Sequence, residues 1–359
     1  MNRIWHKRPY KIGDEKKILQ LRHSVFGDLD EVRLNISTWY WQFRDNPAGK
    51  AMCWVAEDNG VIVGQYTVIP TRFSLKGKET VLAFSCDTMV HPDYRKQGMF
   101  LDLANEVYRS LDAEKIRGRT VWGFPNEAAL PGFTSRLGWD SLGIIPLVIM
   151  PIRPLTMLYR HVFHINRRGL PGAFPKSGCG ANSTSLNMQG LMIESIRSFD
   201  EEFDALWNRN RSLAPAMQIR DCSYLNWRYF GVPDFCYRPF AIRWKGELAG
   251  YMVIRLMNLM GHYFGVLVDL FPFPVIDLKI TKSLLRFART YSKAYGAEFL
   301  TCLISWIKPS FFRGMRSMKV PEKINPRSWH LGCRYRSDDK ALLKNMDNWY
   351  LTYGDTDIV

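Results

Sequence analysis

The segment Asp87-Thr88-Met89-Val90-His91-Pro92-Asp93-Tyr94-Arg95-Lys96-Gln97-Gly98-Met99-Phe100 holds the residue types and spacing from which chemistry can be read. A strand-like run ends at Val90, Pro92 turns the chain, and Gly98 stands where an amphipathic helical pattern begins. The first backbone N–H groups of a helix have no intrahelical partner, and the helix dipole favours negative charge beside them. The N–H groups of Arg95, Lys96, Gln97, Gly98, Met99 and Phe100 thus form an anion cradle. Gly98 permits close approach of the backbone, and Arg95 and Lys96 add charge. A pyrophosphate fits such a site.

The elements that must position this loop recur along the chain. A shift of 186 residues places Trp41 on Trp227, Asp14-Glu15 on Asp200-Glu201, Pro47 on Pro233, Gly60 on Gly246 and Gly64 on Gly250. Each acidic pair follows a short β-like run (Pro9 to Ile12; Leu191 to Ile196) and opens a helical stretch. Each first glycine makes a hairpin turn. Its arms are Met52 to Glu57 and Val61 to Ile69 in one copy, and Tyr237 to Trp244 and Glu247 to Met257 in the other. A long strand (Thr80 to Val90; His262 to Phe271) then leads to a helix (Met99 to Ala113; Ile280 to Tyr295) and a further strand (Thr120 to Phe124; Glu298 to Ile304). The order predicts an α/β fold of two tandem domains, each a mixed twisted sheet flanked by helices. Expected units are residues 1–150, a basic linker over 151–190, and 191–359.

No Asp or Glu occurs between Ser141 and Ile193, where Arg153, Arg160, Arg167, Arg168 and Lys176 fall. This stretch reads as an exposed connector, with peripheral contact to an anionic membrane as the sharper alternative. The net charge of +15 is spread along the chain rather than gathered into an aromatic-laced stripe, so nucleic acid is not favoured as a partner. The seven cysteines include no CxxC pair and no His at metal-ligand spacing. Reduced thiols, no metal and a cytoplasmic setting are expected. No stretch reaches the ~18–20 apolar residues of a spanning helix, and the N-terminus lacks the apolar run of a signal peptide.

Arg95-x-x-Gly98, entered through Val90-His91-Pro92, resembles the pyrophosphate loop of the GNAT acyltransferase superfamily. Phe100 departs from that pattern, which has Gly or Ala there. Pro125-Asn126 and Leu137-Gly138-Trp139 are similar to the family's splayed strand and the close of its last helix. The resemblance covers residues 8–150 well and the rest only as architecture. It implies an N-acyltransferase that takes acetyl-CoA or another acyl-CoA as co-substrate and a small amine as acceptor, an amino sugar of surface-polysaccharide assembly being one expectation. It also implies that Met89 and Val90 offer backbone N–H groups to the thioester carbonyl and that Asn126 contacts the pantetheine arm. Thr134 stands where many members carry a Tyr acid.

Asp87 is the first candidate for the general base and Glu57 the second. Alignment of Asp87 with Asp269 would make it structural instead, and His91 reads as a turn residue. The second copy has Val268-Asp269-Leu270-Phe271-Pro272-Phe273-Pro274 in place of the loop, so the first domain is expected to hold the donor and the second to shape the acceptor site. The acidic end, with Asp355 and Asp357, reads as a frayed tail, or else as a segment entering the cleft. Two alternatives stand beside the main reading: an aminoacyl transferase of the peptidoglycan-bridge type, and a non-catalytic acyl-CoA-binding module.

Overall fold

The structure is a computed structural model. It describes residues 5–27, 33–113, 120–154, 185–188, 190–259, 262–272, 278–306, 318–319, 328–335 and 340–357. The centre of the acid-free connector, 155–184, falls outside them, and with it the expected membrane patch.

The first half runs β1 (His6–Pro9), α1 (Glu15–Phe26), α2 (Ile36–Phe43), β2 (Met52–Asp58), β3 (Val61–Leu75), β4 (Lys78–Val90), α3 (Met99–Ala113), β5 (Val121–Gly123), α4 (Leu130–Arg136), β6 (Asp140–Ile145) and β7 (Leu147–Pro151). The second runs β8 (Ser185–Met188), β9 (Leu191–Ser195), α5 (Glu201–Asn210), β10 (Ala216–Gln218), α6 (Cys222–Tyr229), β11 (Tyr237–Trp244), β12 (Glu247–Leu259), β13 (His262–Phe271), α7 (Leu278–Ala294), β14 (Phe299–Leu303), β15 (Met318–Lys319), β16 (Trp329–Arg334), α8 (Lys340–Leu343) and β17 (Trp349–Tyr350). Two mixed sheets flanked by helices result, as the sequence predicts.

The repeat is visible in local chemistry. Glu15 opens α1 and Glu201 opens α5. Asn35 caps α2 by accepting the Ser37 N–H at 2.9 Å, and Asp221 caps α6 by accepting the Tyr224 N–H at 2.9 Å. The Asn59-Gly60 and Lys245-Gly246 turns both have positive φ at each residue, as two-residue hairpins prefer. Where α2 meets α6, Trp41 and Trp227 stack with centroids 4.6 Å apart. Each indole N–H donates to the other's backbone carbonyl, at 2.8 and 3.1 Å. This reciprocity is the signature of a two-fold contact, here made within one chain.

The first strand departs from expectation. It spans His6–Pro9, and the apolar Ile12 is 94% exposed in the turn before α1. Asp14 holds that turn by accepting the Lys11 N–H at 2.8 Å and a guanidinium N–H of Arg8 at 2.7 Å. Side chain–backbone bonding, rather than alternation, decides the structure there.

The halves exchange their last strands. In the first sheet, ordered β1-β2-β3-β4-β5-β16-β6, β16 lies between β5 and β6. In the second, β7 lies between β14 and β15. Gly332 pairs with Gly123 and Ser141, while Thr301 pairs with Ile149. β10 and β17 add a further bond between the halves, with Ala216 opposite both Leu75 and Trp349.

Candidate active site

β4 and β5 pair in parallel only at Ala83–Val121, Phe84–Trp122 and Ser85–Gly123. Beyond Gly123 they diverge, so the edge of Cys86–Val90 that faces β5 has no strand partner among the described residues. Divergence is reinforced by a bulge on β4: Gln65 opposes Met89 and Thr67 opposes Cys86, and Asp87 adopts φ 50°. A non-glycine residue in the left-handed region is strained, which concentrates such positions at functional sites. The wedge opens into a cleft of about 590 Å³. Its walls are largely apolar, with Phe26, Val90, Phe100, Phe124, Phe133 and Trp139 among them.

The loop joins two residues of the cleft wall, Val90 and Phe100. Its Tyr94 hydroxyl donates to Asp58 at 2.6 Å, tying it to the β2–β3 hairpin. Lys96 and Gly98 have φ of 63° and 80°, left-handed turns of the kind from which anion-binding nests are built. Among the described residues, the N–H groups of Lys96, Gln97, Gly98, Met99 and Phe100 donate to no backbone or side-chain acceptor. Arg95, Lys96 and Gln97 are exposed around them. The same residues that the sequence singles out thus form a row of free donors at the head of a 15-residue helix.

Phe100 explains its own departure from the family pattern. Its ring packs 5.0 Å from Phe133, and a Cβ at Gly132 would meet it at 3.0 Å. The small residue sits on α4 instead of in the loop. Asn126 lines the cleft and caps the turn before α4 by accepting the Ala129 N–H at 2.8 Å. Its amide NH2 donates to no described residue. Thr134 bonds back to the Leu130 carbonyl at 3.1 Å and is not a cleft residue.

Asp87 lines the cleft, but both its oxygens are taken. Arg22, from α1, reaches one at 2.6 Å, and Arg33, just before α2, reaches the other at 3.0 Å. Burial pushes this carboxyl up, yet the two guanidinium charges outweigh it and hold the group below the usual carboxylate range. In the second half, Asp269 on β13 faces Arg220 at 3.2 Å. Gln65 bonds the Asp87 carbonyl and Tyr251, 186 residues on, bonds the Asp269 carboxylate. Glu57 lies outside the cleft and accepts from Arg8 Nε at 2.6 Å. His91 accepts the Asp93 N–H in the surface turn. Cys86 lines the cleft, and burial, with Asp87 beside it, pushes its thiol far above the ordinary value, so it is no nucleophile.

Sequence reasoning does not find Arg22, Arg33 or Ser85. The last ends a buried chain of bonds: Trp139 Nε1 donates to Tyr108, which bonds Tyr66, and Ser85 donates to Tyr66 at 3.1 Å. The acidic tail is not frayed. Arg228, buried, donates to the carbonyls of Gly354 and Thr356 at 3.1 Å each. Arg220 pairs with Asp355 at 2.7 Å, and Thr352 with Asp355 forms a capping box. This strap fills the space in the second sheet that corresponds to the wedge. The Tyr350 hydroxyl bonds the Leu270 carbonyl, Leu351 bonds Ser305, and Thr352 bridges Ile304. It ends with Asp357 in the wall of the first cleft.

Residues 6–142 match the family model described as an acetyltransferase (GNAT) domain. No curated protein matches the chain. Its fold is similar to that of a GCN5-related N-acetyltransferase from Anabaena variabilis ATCC 29413, at 12% identity and TM-score 0.63, over 95% of this chain and 75% of that one. It is similar to Saccharomyces cerevisiae N-myristoyltransferase with bound myristoyl-CoA, at 12% identity and TM-score 0.61, over 94% and 84%. A probable N-acyltransferase from Enterococcus faecalis V583 gives 11% identity and TM-score 0.62, over 95% and 75%. At these identities the likeness is one of fold, and it shows a GNAT-like architecture across both halves.

Proposed function

We propose that this chain is an acyl-CoA-dependent N-acyltransferase whose first half, residues 1–150, holds the donor and whose second half, residues 191–359, shapes the acceptor side. The row of free N–H groups from Lys96 to Phe100, in the loop whose ends Val90 and Phe100 line the cleft, carries the reading. The amides and Arg95 and Lys96 would hold the pyrophosphate, and the Asn126 NH2 the pantetheine arm. The β4 edge at Met89 and Val90, unpaired on the side of β5, would offer an N–H to the thioester oxygen, where negative charge develops during transfer. Asp87, bound on both sides, would fix Arg22 and Arg33 at the acceptor face rather than move a proton.

Acetyl is the simplest acyl group and an amino sugar the first acceptor to try. The test is release of free thiol from acetyl-CoA and from a longer acyl-CoA, with glucosamine, a free amino acid and a short peptide as amines. Amine-dependent release with at least one pairing, well above hydrolysis, is expected. Acyl-CoA binding with no release from any pairing would favour a non-catalytic acyl-CoA-binding module. Absence of acyl-CoA binding altogether would favour the aminoacyl transferase, whose donor has no pyrophosphate.

A further inference from the structure

We infer that Asp357 is the catalytic base, delivered to the cleft by the strap of the second half. The inference rests on the acyl-transfer reading above. Among the described residues that line the cleft, Asp87 and Asp357 are the carboxylates, and no His, Lys, Tyr or Glu is among them. A base for an ammonium must be able to take a proton without leaving other charges stranded. Asp87 fails that condition, since Arg22 at 2.6 Å and Arg33 at 3.0 Å bind its two oxygens and favour its ionised form. Among the described residues Asp357 pairs with one cation, Arg33, and at 3.7 Å, beyond hydrogen-bond distance. Its side chain is 13% exposed, open to the cleft yet held out of bulk water.

The placement is built, not incidental. Arg228 grips the carbonyl of Thr356, the residue before Asp357, and that of Gly354. The Tyr224 hydroxyl adds a second bond to the Gly354 carbonyl at 3.3 Å. The second half has its own wedge closed by this segment, and the segment carries the Asp357 carboxylate into the wall of the first. In the step, Asp357 takes one proton from the acceptor's ammonium. The neutral nitrogen then bonds to the acyl carbon as the carbon–sulfur bond breaks. The departing thiolate ends as a thiol with the second proton that the nitrogen sheds, and Asp357 returns its proton to water.

The test is Asp357→Asn in the full chain, with the same acyl-CoA and two amines at pH 6.5. Glucosamine is then mostly an ammonium and must lose a proton before it reacts, whereas hydroxylamine is mostly neutral. We expect kcat with glucosamine to fall about 10²–10⁴-fold. Turnover with hydroxylamine and the calorimetric affinity for acyl-CoA should change less than about threefold. Asp357→Glu, which keeps a carboxylate, should restore part of the glucosamine rate. Equal losses with both amines, an unchanged rate, or a parallel loss of acyl-CoA affinity would each overturn the assignment. Failure of the wild-type chain to turn over these two amines, a free amino acid or a short peptide would overturn the acyl-transfer reading, and the assignment with it.

Discussion

Arg220→Ala will destabilise the chain by about 3–5 kcal/mol, the usual consequence of stranding a buried charge. Arg220 is 1% exposed and stands between Asp269 and Asp355, with Gln218 accepting from its third nitrogen. Asp269 also accepts from Tyr229, Tyr251 and Thr352, so its carboxylate has fixed donors, but Arg220 is the one cation paired with it among the described residues. Against a total stability of about 5–15 kcal/mol, the loss is a large fraction. Urea unfolding should show it as a lower midpoint. Its pH dependence has a definite sign. Burial, with Asp269 alongside, already raises the Asp355 carboxyl above the usual range despite Arg220. Removing the guanidinium raises it further. A carboxyl with a raised folded value binds its proton more tightly in the folded state, so its contribution is present at low pH and is lost as pH rises. The deficit should therefore be greater at pH 8 than at pH 5. A cost below about 1 kcal/mol, or the reverse trend with pH, would contradict this account of the strap.

Cutting the chain at Gly169 and expressing either part alone will give no cooperatively folded protein, while co-expression of the two parts will restore it. The exchanged strands are the reason. Without β16, β5 and β6 lose the strand that joins them, and Trp122 loses contact with Trp349 at 5.7 Å. Without β7, β14 loses one neighbour and β15 its only strand partner among the described residues. Each part would present long unpaired edges with an apolar face, the usual route to aggregation. The Trp41–Trp227 pair, whose stacking is worth about 0.5–1.5 kcal/mol, would be lost as well. A soluble lone part with a sharp unfolding transition would show that the exchange is incidental.

These features mark how far the sequence could be read. The β4–loop–α3 unit is legible because its determinants are contiguous: a strand, a turn at Pro92, Gly98 and an amphipathic helix follow one another within about thirty residues. The 186-residue repeat is legible because helix starts and turns, at Glu15 and Glu201 or Gly60 and Gly246, depend on local backbone chemistry. The strand exchange is not, since the apolar runs of β7 and β16 fit any buried edge and do not name a neighbour. The same holds in the cleft. Arg22, Arg33 and Asp357 converge on Asp87 from α1, from the approach to α2 and from the strap, and no spacing in the chain relates them. Phe100 likewise looks anomalous until Gly132 is seen against it.

The most direct test of the central claim is calorimetric titration of acetyl-CoA, and of a longer acyl-CoA, into the wild-type chain and into Gly98→Glu. A Cβ at Gly98 would meet nothing within 4 Å, so the variant should fold, at a cost of about 1–2 kcal/mol for φ 80°. Its carboxylate would occupy the anion cradle and repel the pyrophosphate. The account predicts binding by the wild type that falls at least about a hundredfold in the variant, with the unfolding transition retained. Equal binding by both would place the donor elsewhere, and no binding of either acyl-CoA by the wild type would contradict the account.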